Sequence, residues 1–304
     1  MSPKPRPVVG PPGNTTQLPV LITSPVTPPL MTGRGVTHIL RPSFTSPTVS
    51  DLTEINALFQ EGKGLLAHGN QIAPARLREK IQTVPGLPPS YQDWYERLRS
   101  SCWSTWRYLG IDRAILLSTR PFLVRDGLLL TMAAFWNPQT NCFLLPTGPI
   151  GPTLLDVAMI AALPVSGPEP VRYCNHGYRA SGAASRVKFS KPSWTTFVQL
   201  NCGAPGTPVS EEEHIAFMVF FLNRFVLCSR SKNVSPILLE MAIALVSRTR
   251  MALGSMFLAL FSQGLTTASM QASMDQQVQG SGPLWFLQLW LQLYFPDQLY
   301  GPVK

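Results

Sequence analysis

Charge is scarce in this chain. Asp, Glu, Lys and Arg make up 13% of its 304 residues, about half the ~25% usual for soluble domains. Histidine occurs only at positions 38, 68, 176 and 214. With so few acids and histidines, no carboxylate pair for general acid–base work can be picked out. Cysteine stands at 102, 142, 174, 202 and 228, an odd count without a C-x-x-C pair. Structural zinc wants four convergent ligands with two short spacings. The nearest pair, Cys174 and His176, is not such a signature, so reduced thiols and no metal are expected. Walker A, GxGxxG, HExxH and GxSxG motifs are all absent, which removes the usual signatures of nucleotide, zinc-peptidase and esterase chemistry. The start, MSPKPRPVV, lacks the apolar core of a secretory signal.

Uninterrupted hydrophobic spans are lacking too. Residues 251–274 are uncharged and long enough to cross a bilayer. Their second half, SQGLTTASMQASM, is too polar for that. The run IAFMVFF is cut by Asn223 and Arg224, and the last run by Gly282 and Pro283. Core helices, and no membrane partner, are the expectation.

What is present is apolar and proline-rich. Apolar residues are 45% of the chain and prolines number 30. The first value is too high for a wholly disordered chain, and the second is about double the usual ~5%. The net charge of +9 is unevenly spread. Residues 1–50 carry +4 and residues 170–210 carry +5, from Arg172, Arg179, Arg186, Lys188 and Lys191, with no acid in either stretch. Elsewhere the signs cancel. Positive charge on tails and loops favours weak, salt-sensitive contact with polyanions over base readout.

Eleven prolines in residues 1–50 mark a disordered arm. Short helices are expected at 51–63 and 74–80, and the prolines at 85, 88 and 89 mark the approach to a folded domain. The division expected is therefore 1–84 arm and 85–304 domain. Trp94, Leu98 and Cys102 recur at helical spacing within 91–110. This aromatic face belongs in a core; the alternative is an exposed base-stacking platform interleaved with Arg97, Arg99 and Arg107. A buried helix is read at 122–135, a strand at 141–145, then a tight turn, PTGPIGP. Thr153 and Asp156 have the spacing of a helix-start capping box, which accounts for the acid without catalysis. Residues 165–212 read as a basic loop with one apolar cluster around Trp194 and Phe197. Helices follow from 213, from Pro236 capped by Ser235, and at 250–263 and 284–295. The fold class is mainly α, with a small β element.

Two blocks resemble the plant mobile domain family, the group that includes the maintenance-of-meristems proteins. The first, FWNPQTNCFLLPTGPIGPTLLDVAMIAALPVSG, matches at Trp136, Pro138, Thr140, Phe143, Pro146, Gly148, Thr153, Leu154, Asp156, Val157, Leu163, Pro164, Val165 and Gly167. The second begins HIAFMVFF and ends LQLWLQLYFP, similar to the family's Leu-Gln-Leu-Trp segment at Leu287, Gln288 and Trp290. The likeness spans roughly 85–300. Asn137 stands where the family usually has Arg, Gln139 and Pro149 where it has acids, and Asn141 and Cys142 where it has a polar residue. Charged contacts are lost while apolar positions are kept. The chain stops just past the last segment, so a shortened copy is one expectation.

The resemblance implies a nuclear protein tied to transposon silencing and genome integrity, or carried by a transposable element, with phosphatase-like partners. The family is often labelled aminotransferase-like. The seven lysines, at 4, 63, 80, 188, 191, 232 and 304, offer no buried Schiff-base candidate. Ser229-Arg-Ser-Lys232 matches S-x-x-K without its companion motifs. The expectation is therefore a non-catalytic interaction module without a cofactor. The alternative is a nucleic-acid-associated transposon accessory protein that uses the basic loop and tail.

Overall fold

The computed structural model describes residues 87–121, 126–145, 148–174, 182–189, 193–228, 233–273, 278 and 281–295, with four two-residue strands upstream. The chain falls into two compact units, Met1–Val49 and Ser50–Lys304. In the first, β1 (Met31–Thr32) pairs antiparallel with β2 (Gly35–Val36). In the second, β3 (Gly64–Leu65) pairs with β4 (Gln71–Ile72). Apart from these strands, the expected disordered arm and the helices at 51–63 and 74–80 lie outside the described residues.

Helix α1 (Pro89–Leu109) opens on a proline at its first position, whose fixed φ suits a helix start. Its buried residues, Tyr91, Trp94, Tyr95, Leu98, Cys102, Trp106 and Leu109, form one apolar face. Trp94 and Trp106 are fully buried, so the aromatic stripe is core and not a stacking platform. Gly110 ends the helix at φ +74°, with Gly110 N–H bonded to Arg107 O and Ile111 N–H to Trp106 O, a Schellman stop. Two helices follow, α2 (Asp112–Ser118) and α3 (Asp126–Phe135).

A three-stranded antiparallel sheet comes next: β5 (Trp136–Asn137), β6 (Cys142–Leu145) and β7 (Gly148–Ile150), in chain order. The expected strand is β6. Part of the segment read as a tight turn is instead β7, which pairs Ile150 with Phe143 and Pro149 with Leu144. Proline is tolerated there because β7 is an edge strand, where a missing N–H need not break the ladder.

Helix α4 (Leu154–Asp156) continues as a π-helix, Val157–Ala161. Short 3-10 turns cover Pro170–Tyr173 and Gly182–Arg186. The apolar cluster in the basic loop forms α5 (Trp194–Asn201), capped by Ser193 and burying Trp194, Phe197 and Val198. Helix α6 (Glu211–Phe221) passes into a π-helix at Leu222–Leu227. Then come a 3-10 turn at Pro236–Leu238, α7 (Leu239–Val246), α8 (Leu253–Ser273) and α9 (Trp285–Tyr294). Helix α8 outruns the segment expected at 250–263. Leu265, Ala268, Ser269 and Ala272 keep a buried stripe through its polar second half.

Helix α6 is the centre. Every residue from 213 to 221 is buried, so beyond its first turn it has no solvent-facing side. Tyr91 and Trp106 stack on Phe217 at 5.5 and 5.3 Å, and Trp94 meets it edge-on at 5.2 Å. Trp194 of α5 stands edge-on to Phe220 at 5.0 Å. Trp285 joins this cluster to the sheet side by contacts with Phe225 at 4.7 Å and Phe257 at 5.6 Å. Among the described residues, no helix is long and apolar enough to cross a membrane.

Candidate functional site

The capping box at α4 is complete. Thr153 has an extended backbone and its hydroxyl accepts from Asp156 N–H, while Asp156 accepts from Thr153 N–H at 2.7 Å and Thr153 Oγ1 at 2.9 Å. A third donor comes from far along the chain: Tyr294 Oη donates to Asp156 Oδ1 at 2.5 Å. Burial, reinforced by the adjacent carboxylate, pushes the Tyr294 phenol well above the ordinary tyrosine range. The phenol therefore keeps its proton and stays a donor.

From Tyr294 a chain of rings leads back to the sheet. Tyr294 lies 4.9 Å from Trp290, Trp290 stacks on Phe143 at 5.9 Å, and Phe143 meets Trp136 edge-on at 5.0 Å. The β5–β6 register sets Trp136 directly across from Phe143. Trp136 Nε1 then donates to Thr266 Oγ1 of α8 at 3.0 Å. Motif residues from the sheet, α4 and α9 thus meet in one buried cluster. Leu287 and Gln288 are buried on α9, whereas Leu154 is 40% exposed.

Leu163, Pro164 and Gly167 serve a second junction. Gly254 N–H donates to Pro164 O at 2.8 Å and Ala252 N–H to Pro168 O at 3.0 Å. Gly167 sits at φ +125°, and a Cβ there would lie 3.1 Å from Met251 Cα. The segment folds flat against the start of α8, and glycine provides both the torsion and the clearance.

Pro138 and Thr140 lie in the β5–β6 loop. Asn137 Oδ1 accepts from Gln139 N–H at 2.8 Å and Thr140 N–H at 3.3 Å, and Asn141 closes the loop at φ +51°. Asn137, where the family usually has Arg, acts here as the turn's local acceptor. Gly148 pairs with Leu145 in the sheet; Pro146 lies outside the described residues.

Three of the buried polar groups on α6 and the π-helix beyond it, Glu213, His214 and Arg224, were not singled out by motif. Glu213 accepts from Arg97 Nε at 2.8 Å, Trp94 Nε1 at 3.1 Å and Gly203 N–H at 2.9 Å. Burial alone would raise its pKa, but the Arg97 guanidinium and the Gly203 and Trp94 N–H groups outweigh that and lower it. His214 Nε2 accepts from Trp106 Nε1 at 2.9 Å, and burial lowers its pKa to about 4. Arg224, 2% exposed, donates to Ser118 O at 2.7 Å at the end of α2, with its guanidinium 5.9 Å from the Tyr91 ring centre. The sequence around them, a continuous apolar run from Ile215 to Leu222, does not reveal these groups' roles, because their partners lie on other elements.

Burial raises the thiol pKa of Cys102 to about 11 and of Cys228 to about 12, and also raises those of Cys174 and Cys202. These thiols are protonated and poor nucleophiles. Among the described residues, no group of three or more His, Cys, Asp or Glu is placed to hold a metal. Of the basic-loop residues, Arg172, Arg186 and Lys188 are exposed, and Arg186 pairs with Glu212 at 3.2 Å. Arg179, Lys191, Ser229 and Lys232 lie outside the described residues.

No curated protein and no solved structure matches the chain. A family model does: the plant mobile domain model matches residues 110–299, a span that takes in the sheet, the capped helix, the glycine junction and α9. That is more than half of the 304 residues, and the chain belongs to the plant mobile domain family.

Proposed function

We propose that this protein is a non-catalytic nuclear interaction module, linked to transposon silencing and genome integrity or carried by a transposable element. Its partners would be nuclear proteins, phosphatase-like ones among them by family resemblance. The observation that supports this reading is the use to which the motif's polar atoms are put. Asp156 takes its donors from Thr153 and Tyr294 inside the core, and Trp136 bonds to Thr266. A catalytic acid or base has to reach a substrate proton, and these groups are engaged in holding the sheet, α4, α8 and α9 together. What the motif builds is a scaffold, and a scaffold acts through its surface.

The test is a pull-down from plant nuclear extract with the full chain, at low and high salt, with and without nuclease. Protein partners that survive both treatments are the expected result. Loss of everything on nuclease treatment would overturn the proposal in favour of a nucleic-acid accessory role. That second reading draws on Arg172 and Lys188, which are exposed and have no ion pair among the described residues. It requires affinity to fall steeply with salt.

A further inference from the structure

The C-terminal ends of α1 and α7 come together at a feature the family motif does not include. Tyr108, 42% exposed in the last turn of α1, has two arginines over its ring. The Arg248 and Arg250 guanidinium carbons lie 4.4 and 4.5 Å from the ring centre. Arg250 Nε also donates to Tyr108 O at 2.9 Å, which ties it to the end of α1. Both arginines are exposed, and neither has a carboxylate partner among the described residues.

The backbone at this point is held against its preference. Helix α7 ends in a Schellman stop: Thr249 N–H bonds Ala244 O at 2.8 Å and Arg248 N–H bonds Leu245 O at 2.9 Å. The residue at the left-handed position of such a stop is usually glycine. Here it is Arg248, at φ +63°. The matching stop of α1 uses Gly110 at φ +74°. Placing a long cation on the strained position sets its guanidinium over Tyr108, the ring that Arg250 also faces. Two guanidiniums on one ring, neither paired with an acid among the described residues, leave a local excess of positive charge that an anion can neutralise.

We infer that Tyr108, Arg248 and Arg250 form a docking site for an acidic segment of a partner protein, its carboxylates received by the two guanidiniums beside an aromatic anchor. This rests on the interaction-module reading and gives it a surface. Tyrosine and arginine are among the side chains enriched at the energetic centres of protein interfaces, and arginine's fork suits carboxylate. A nucleic-acid groove would instead follow many phosphates with an extended basic face. The sequence from 211 to 304 is electrically balanced, and the site is a localised pair within it.

The experiment uses the full chain and fluorescence anisotropy at 50 and 300 mM salt, with two probes: a ten-residue polyglutamate peptide and a ten-nucleotide oligothymidine. The variants are Arg248→Gln with Arg250→Gln, Tyr108→Ala, and, in the basic loop, Arg172→Gln with Lys188→Gln. Thermal melts confirm that each is folded. Polyglutamate binding should weaken about tenfold or more in the first two variants and less than about twofold in the third. Equal loss in the basic-loop variant, or no loss in the arginine pair, overturns the site. So does tighter oligothymidine binding that the same arginines control. The arginine-pair variant is also taken through the nuclear pull-down. If partners captured by the natural chain persist, this site is wrong while the module reading stands. If the natural chain captures no protein yet binds polyglutamate through these arginines, the site stands and the module reading falls.

Discussion

Tyr294 and Asp156 are 138 positions apart and share a hydrogen bond of 2.5 Å. It joins the end of α9 to the first turn of α4 inside the ring cluster of the sheet. A bond to a carboxylate is worth about 1.5–3 kcal/mol. Tyr294→Phe should lower stability by that much, read from denaturant midpoints. Thr153→Ala removes the cap on the same carboxylate and should cost about 1 kcal/mol. Because both side chains donate to Asp156, the double variant should depart from additivity. Strict additivity would show that the two contacts are independent.

The two motif tryptophans should differ. Trp136 Nε1 has Thr266 Oγ1 as acceptor, whereas the buried Trp290 Nε1 has no hydrogen-bond partner among the described residues. Replacing either by Phe leaves a comparable void. Trp136→Phe additionally loses a bond, and Trp290→Phe removes an unmet donor. Trp136→Phe should therefore be the more destabilising, by about 1 kcal/mol. The reverse order would mean that Trp290's indole nitrogen is satisfied in solution.

His214 makes stability depend on pH. Its folded pKa of about 4 lies below the ordinary 6.5, so between those values the unfolded chain binds more protons than the folded one. Stability contributed by neutral His214 is complete above pH 6.5 and falls as pH drops towards 4, by roughly 3 kcal/mol. Charging the ring would also turn Nε2 into a donor facing the Trp106 N–H. Melting temperature measured from pH 7 to 4 should fall steeply in the natural chain. His214→Gln, which keeps an acceptor, should flatten that fall. An unchanged slope would assign the acid sensitivity to groups other than His214; Glu213 does not compete in this range, because its lowered pKa places its loss at still lower pH.

Local features of this fold are written in neighbouring residues. Thr153 and Asp156 are three apart, Ser235 precedes Pro236, and the α1 stripe repeats at helical spacing, so caps and faces can be read directly. The partners of those residues cannot. Nothing near Asp156 in sequence announces Tyr294, and nothing near Glu213 announces Arg97 or Gly203, because topology alone brings them together. Pro149 reads as a turn residue until the sheet has an edge to place it on. Gly110 signals the end of α1, but at the end of α7 the same signal is missing, since arginine stands where glycine is expected.

Gly167 should tolerate no side chain. At φ +125° and against Met251, Gly167→Ala adds backbone strain of order 1–3 kcal/mol and a close contact. The junction between the 163–168 segment and α8 should then loosen, seen as faster amide exchange at Ala252 and Gly254, whose N–H groups bond to Pro168 and Pro164. Exchange unchanged at both amides would show that the segment is not held there by glycine.

Arg248 offers a test in which stability and binding part ways. Arg248→Gln and Arg248→Gly both remove the cation over Tyr108, so both should lose polyglutamate binding equally. They differ at the backbone. Gln keeps a side chain at φ +63°, whereas Gly adopts that torsion freely. Arg248→Gly should therefore be more stable than Arg248→Gln by about 0.5–1 kcal/mol, by denaturant titration. A residue that weakens its own helix stop is hard to explain by folding alone. If the glycine variant were no more stable than the glutamine one, the position would carry no strain, and strain would no longer argue that Arg248 serves the surface.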